Sequence, residues 1–208
     1  QKLRIVSTFL GAHATPKEYK GRTAEYVDLI INEMLPAFKD LTTNCDIFCE
    51  KNVFEIEDSR RLLNAAKEMG YKIKLHMAEK GVVATLLPLT AFTLKEPFAP
   101  ARKFIDSNAA VALATDLNPG SCYSGSIPLT IALACIYMKM SIEEVITALT
   151  INGAAALGLA DQVGSIEIGK KADFVMLRSD NYKTLPYYVG MNCVKMTIHD
   201  GKVVNVND

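Results

Sequence analysis

The chain of 208 residues lacks a surplus of charge, because its 23 lysines and arginines balance its 23 aspartates and glutamates. A neutral chain has no electrostatic footprint for nucleic acid or for an anionic membrane surface. It also lacks an apolar run near the roughly 20 residues of a membrane span. No basic stretch followed by an apolar segment opens the chain, so we expect no secretory signal.

Cysteines with disulfide or metal-site spacing are also missing. The five cysteines are an odd number and include no CxxC pair; they are Cys45, Cys49, Cys122, Cys135 and Cys193. This pattern argues against a disulfide framework and against a cysteine metal site. Cys45 and Cys49 lie in a predicted strand region, where we expect small buried hydrophobic residues. A reducing, cytoplasmic location is therefore expected.

Strand-like and helix-like segments alternate through the first part of the chain. Half of the residues are hydrophobic, which is enough for a large core, and the length suits one large domain or part of one. Alternation of this kind predicts βαβ units and a parallel sheet. The predicted segments are strands at 4–13, 44–50 and 72–76 and helices at 23–38 and 58–69.

The alternation breaks after Lys80. A buried strand is predicted at 81–88, with neither a helix nor a hairpin signal separating it from the strand at 72–76. Two parallel strands need a crossover of about a dozen residues or more. We therefore expect that a segment is absent between Lys80 and Gly81.

The stretch Ala109–Ser121 organises the second part of the chain. Its apolar run, Ala109–Ala114, predicts a strand buried on both faces, and the run ends at Asp116 and an Asn-Pro-Gly turn. A carboxylate at the carboxyl end of a buried parallel strand lies where barrel enzymes place catalytic groups. The pattern alone is equally compatible with Asp116 as a helix cap or turn residue.

The rest of the chain predicts three helices and then a β-rich tail. The helices are expected at 100–107, at 125–140 and from the capping box at Ser141 to Leu157. From about residue 163 on we expect part of a small β-domain, with a hairpin around Asp200-Gly201. His199 lies in that hairpin and is interpreted as structural.

Polar residues follow three predicted strands: His13, then His76 with Glu79, then Asp116 with Asn118. In a parallel barrel these strand ends open onto one face. Histidine and aspartate are preferred ligands of zinc, which makes hydroxide available near neutral pH, and a carboxylate beside that water can move its proton. One histidine and one aspartate are too few ligands, so a complete site needs others.

Six segments carry a resemblance to a known family. They are FLGAH at 9–13, DIFCE at 46–50, KLHMAE at 74–79, ATDLNPGS at 114–121, LTINGAAALG at 149–158 and GSIEIGKKADFV at 164–175. Together they resemble the imidazolonepropionases, amidohydrolases that hydrolyse imidazolone propionate to N-formimino-glutamate in histidine degradation. The last segment alone is shared by many amidohydrolases, whereas the combination is specific and spans essentially the whole chain.

The resemblance implies an α/β fold, a (β/α)8 TIM-type barrel that is incomplete in this chain, with a small β-sandwich domain at the C-terminal end. Residues 1–162 would belong to the barrel and residues 163–208 to the sandwich. The family's His-x-His metal pair would lie upstream of Gln1, and a further histidine would lie in the segment absent after Lys80. The chain departs from the family at Ala78, where an aspartate is usual.

The resemblance also implies one divalent metal ion, zinc or iron, held in part by His76 and Asp116. Asp116 would shuttle the proton of the attacking water. Glu79 would contact the ring nitrogens, and His13 would stabilise the oxyanion that develops on the substrate carbonyl.

Substrate binding is implied for five residues: His13, Glu79, Asn118, Gly120 and Ser121. The expected partner is thus a small-molecule substrate, with no nucleic acid or membrane partner, in a homodimer. Two alternatives stay open. One is another metal-dependent amidohydrolase or deaminase acting on a purine- or pyrimidine-like ring; the other is a metal-free, non-catalytic paralogue.

Overall fold

The computed structural model describes residues 5–47, 49, 53–75 and 83–207. These residues form two compact units, one within Lys2–Val82 and the other within Val83–Asp208. Each unit has a hydrophobic core of its own. None of the described helices is long and apolar enough to cross a membrane.

The first unit is built on a parallel sheet of three strands in the order β1-β2-β3. The strands are β1 (Thr8–Ala12), β2 (Asn44–Ile47) and β3 (Lys72–Leu75). Parallel strands need long crossovers, and helices supply both of them here. The predicted βαβ organisation is confirmed.

The first crossover is helical from Thr23 to Phe38, as predicted, but its hydrogen-bonding pattern changes along the way. It consists of α1 (Thr23–Leu29), a π-helical segment (Ile30–Met34) and α2 (Leu35–Phe38). Pro36 has no N–H to donate to the carbonyl of Asn32, so a regular α-helical ladder cannot continue through this point. The wider π turn precedes that proline.

The second crossover carries α3 (Ile56–Glu68), which begins two residues before the predicted helix and ends before Gly70. Gly70 has φ +86°, a left-handed conformation that terminates helices and favours glycine. One face of α3 buries Leu62 and Ala66 against the sheet's apolar side chains.

Cys45 on β2 belongs to this core and is fully buried, as expected. Burial, with a smaller contribution from the charge of Asp46, raises the pKa of the Cys45 thiol to about 12. The thiol is therefore protonated and unreactive at neutral pH. Cys49 is only partly buried.

The second unit begins with a parallel pair of strands, β4 (Val83–Leu86) and β5 (Ala110–Leu113). Their crossover contains α4 (Pro88–Leu94) and α5 (Ala101–Asp106). α5 is confirmed, whereas α4 was not predicted, because its seven residues show no clear helical periodicity. The proline at its first position suits a helix start, since its φ is preset and its missing N–H would be unpaired there anyway.

Three helices follow β5: α6 (Ile127–Ile136), α7 (Ile142–Leu149) and α8 (Ile151–Ala156). The capping box of Ser141 and Glu144 is present at the start of α7. The prediction of one helix running to Leu157 is wrong, because the backbone leaves helical geometry at Thr150 with φ −112° and ψ −93°. The Thr150 hydroxyl donates to the carbonyl of Ile146 at 2.7 Å, a back-bond that bends helices.

The tail forms an antiparallel sheet in the order β6-β7-β8. Its strands are β6 (Phe174–Leu177), β7 (Val194–His199) and β8 (Lys202–Val206). The hairpin turn at Asp200 and Gly201 has positive φ at both residues, as type I′ turns require. The predicted hairpin is confirmed.

The buried face of α3 gives a test of the first core. Leu62→Ala should lower the free energy of unfolding by about 2–5 kcal/mol, because a fully buried leucine leaves a cavity when truncated. Leu41→Ala is the matched control, since Leu41 is 69% exposed. Urea denaturation measures both, and equal losses for the two variants would contradict the described packing.

Candidate active site

Asp116 lies three residues beyond β5, in the first loop after the strand. Its φ of +53° is in the left-handed region, which aspartate enters more easily than most residues but with some strain. The side chain is partly buried, and its Oδ2 accepts a hydrogen bond from the Thr90 hydroxyl at 2.8 Å. Thr90 is the third residue of α4. The carboxylate is thus held by the helix that follows the neighbouring strand.

Asn118 braces the loop from within. Its Oδ1 accepts hydrogen bonds from the backbone N–H groups of Gly120 and Ser121, both at 2.8 Å. Its Nδ2 donates to the Asp116 carbonyl at 2.7 Å and to the Ser121 hydroxyl at 3.0 Å. Four residues predicted for the site, Asp116, Asn118, Gly120 and Ser121, therefore share one internally bonded loop.

His13 follows β1 directly and lies in the other unit. Its Nε2 is 3.2 Å from Oδ2 of Asp46, a buried carboxylate on β2. Sequence reasoning did not identify Asp46 as a functional residue. The available signal was a charged residue inside an otherwise apolar strand, because such a residue needs a partner when buried.

His76, Glu79 and Ala78 lie outside the described residues, as does the junction between Lys80 and Gly81. Their predicted roles stay predictions.

A second group of polar side chains lies at the β7–β8 turn. His199 Nδ1 is 3.0 Å from Asp173 Oδ1, and its Nε2 is 3.5 Å from Asp200 Oδ2. The ligand atoms of these three residues all lie within 4.8 Å of one another, a spacing that a cation could bridge. Asp173 Oδ1 also accepts the Asp200 N–H at 2.9 Å. The group ties the turn to the segment before β6, which agrees with the structural interpretation of His199.

The sequence profile of the Amidohydrolase family matches residues 62–204. The chain belongs to the amidohydrolase family. It is 59% identical over 243 residues to an imidazolonepropionase of Bacteroides thetaiotaomicron, which covers 100% of this chain and 58% of the relative. An imidazolonepropionase of Clostridium tetani is 51% identical over 236 residues, covering 96% of this chain and 56% of the relative. The chain thus spans somewhat more than half the length of these curated relatives.

Solved structures resemble this amidohydrolase at lower identity. A mutant atrazine chlorohydrolase from Arthrobacter aurescens TC1, complexed with zinc and atraton, has a TM-score of 0.65 at 17% identity over 86% of this chain and 47% of that one. An adenosine deaminase from Xanthomonas campestris with bound zinc has a TM-score of 0.63 at 20% identity, covering 94% and 60%. The likeness shows the TIM-barrel fold, so the predicted fold class is confirmed for the barrel.

The Asn118 brace predicts the effect of removing its amide. Asn118→Ala should lower the free energy of unfolding by about 1–3 kcal/mol, because two N–H groups and one carbonyl lose their partner. Amide hydrogen exchange at Gly120 and Ser121 should accelerate. The control is Asn205→Ala, which removes one exposed side-chain hydrogen bond. Unchanged exchange at both amides would show that Asn118 does not hold the loop.

Proposed function

We propose that the full-length protein is an imidazolonepropionase, which hydrolyses the imidazolone ring of imidazolone propionate to N-formimino-glutamate in histidine degradation. The observation that carries the proposal is the 59% identity to an imidazolonepropionase across the whole chain. The likeness to deaminases, such as the 20% identity to adenosine deaminase, speaks only to the fold. The Asp116 loop and the His13 strand end supply polar groups for the chemistry.

A divalent metal ion, zinc or iron, is part of the proposal, with Asp116 and His76 as two of its ligands. The Asp116 carboxylate fits such a role: Oδ2 is held by Thr90, while Oδ1 receives no hydrogen bond from any described residue. A carboxylate with one oxygen oriented and the other available can bind a cation through a single oxygen. When bound, the ion would supply a water molecule of lowered pKa.

Asp116 would accept a proton from the attacking water and deliver it to the leaving ring nitrogen. The Thr90 hydroxyl would keep the carboxylate oriented during this transfer. His13 would hydrogen-bond the substrate carbonyl, and Glu79 would contact the ring nitrogens. The Asn118–Ser121 loop would hold the ligand, with Asn118 keeping Gly120 and Ser121 in place.

The proposal extends to the organisation of the chain. The alignment with the Bacteroides relative runs over 243 residues against 208 in this chain, which supports a segment absent between Lys80 and Gly81. Exposed apolar side chains on the tail sheet support its place in a β-sandwich, because apolar surface of this kind needs a cover. They include Val175, Val203 and Val206.

The homodimer and the cytoplasmic location are likewise proposals. The location is supported by the five cysteines, which are all free. The homodimer rests on the resemblance to the family.

The decisive test replaces Asp116 in the full-length protein. Asp116→Asn should reduce imidazolone propionate hydrolysis on the order of a hundredfold or more, because an amide cannot accept the proton. Bound metal, measured by mass spectrometry, should fall with it. Asparagine tolerates the left-handed backbone, so the fold should persist.

The matched control is Asp106→Asn, which alters a surface aspartate paired with Arg102. It should leave hydrolysis and metal content unchanged. Hydrolysis retained in Asp116→Asn would refute the role of Asp116. A metal-free wild-type protein without turnover would favour the non-catalytic paralogue.

A further inference from the structure

Asp46 is a carboxylate in an unfavourable place. It is 7% exposed and lies on β2, the central strand of the three-stranded sheet. Burying a charged carboxylate costs several kcal/mol unless hydrogen bonds replace its water. A strand of four buried residues would be more stable with an apolar side chain at this position.

Both oxygens of Asp46 have hydrogen-bonding groups beside them. Oδ1 accepts the backbone N–H of Ile47 at 2.9 Å, and Oδ2 lies 3.2 Å from Nε2 of His13. An ionised carboxylate only accepts hydrogen bonds, so the second contact requires a proton on Nε2. The pair therefore selects the ring form of His13 in which Nε2 is protonated.

The pair lies on the side of the sheet that faces away from the helices. Cys45 and Ile47 pack into the core with α1 and α3. Because successive side chains of a strand alternate, Asp46 points to the opposite face. Ala12 of β1 is the register partner of Ile47, so His13 leaves the sheet at the carboxyl edge, where barrel enzymes form their active sites.

We propose that Asp46 is a positioning residue for His13. It holds the imidazole in one orientation and keeps a proton on Nε2, so Nδ1 is the nitrogen whose protonation decides how the ring meets a ligand. This inference rests on the proposed function, in which His13 contacts the substrate carbonyl. A His13 that keeps Nε2–H on Asp46 can donate a hydrogen bond through Nδ1 only as the doubly protonated imidazolium.

The ring form can be measured without any variant or turnover. The chain has three histidines, so ¹⁵N-histidine labelling gives few imidazole signals, and His13→Gln identifies that of His13. Wild-type His13 should show a protonated Nε2. In Asp46→Asn the preference for that form should weaken, because a neutral amide can donate to the ring as well as accept from it. A wild-type ring protonated on Nδ1 alone would overturn the proposal.

Kinetics on the full-length protein test the catalytic consequence. Asp46→Asn should lower kcat by on the order of tenfold to a hundredfold with little change in KM, since orientation of His13 matters most in the transition state. Asp28→Asn is the control, because Asp28 is an exposed aspartate that pairs with Arg61 in the same unit. That control should leave kcat unchanged.

A double-mutant comparison separates positioning from a general structural effect. Adding Asp46→Asn to His13→Gln should cause no further loss of kcat, because Asp46 acts through His13. Additive losses would overturn the proposal. An inactive wild-type protein with a protonated Nε2 on His13 would refute the proposed function and leave the Asp46–His13 pair supported.

Discussion

The parallel pairing of β4 with β5 fixes where the second unit can place its polar groups. Leu86 is the register partner of Leu113, and the next residue, Ala114, donates its N–H to the Leu86 carbonyl at 3.1 Å. Both strands therefore leave the sheet at the same level. As a result, Thr90 in the first turn after one strand reaches Asp116 in the loop after the other. The β1–β2 pair places His13 beside Asp46 by the same geometry.

Most of the fold could be predicted because its elements carry strong local signals. The apolar run at 109–114, the periodicity of 23–38 and the Asp200-Gly201 turn each indicated one structure, which the molecule has. The missed features depend on single residues. Pro88 starts a helix too short for periodicity, and Thr150 breaks a helix with a hydrogen bond that its neighbours do not reveal.

The candidate site was predictable only in part, because sequence position indicates which residues end strands and says little about their partners. Asp116 and His13 stood out as polar residues after apolar strands. Their partners, Thr90 and Asp46, lie 26 and 33 residues away in sequence, and those spacings have no meaning before the strands are paired. Asn118 suited a ligand contact equally well, yet its amide is bonded to its own loop. Only coordinates could separate those two uses of one side chain.

The left-handed backbone of Asp116 sets stability against activity at a single position. Glycine would adopt a φ of +53° without the steric cost of a Cβ atom, roughly 1 kcal/mol, but it carries no carboxylate. Selection for a stable chain alone would favour glycine or asparagine there, whereas selection for hydrolysis would keep aspartate. Position 116 is thus a natural marker for engineering and evolution: a consensus or stability-driven redesign of this loop would remove the acid first.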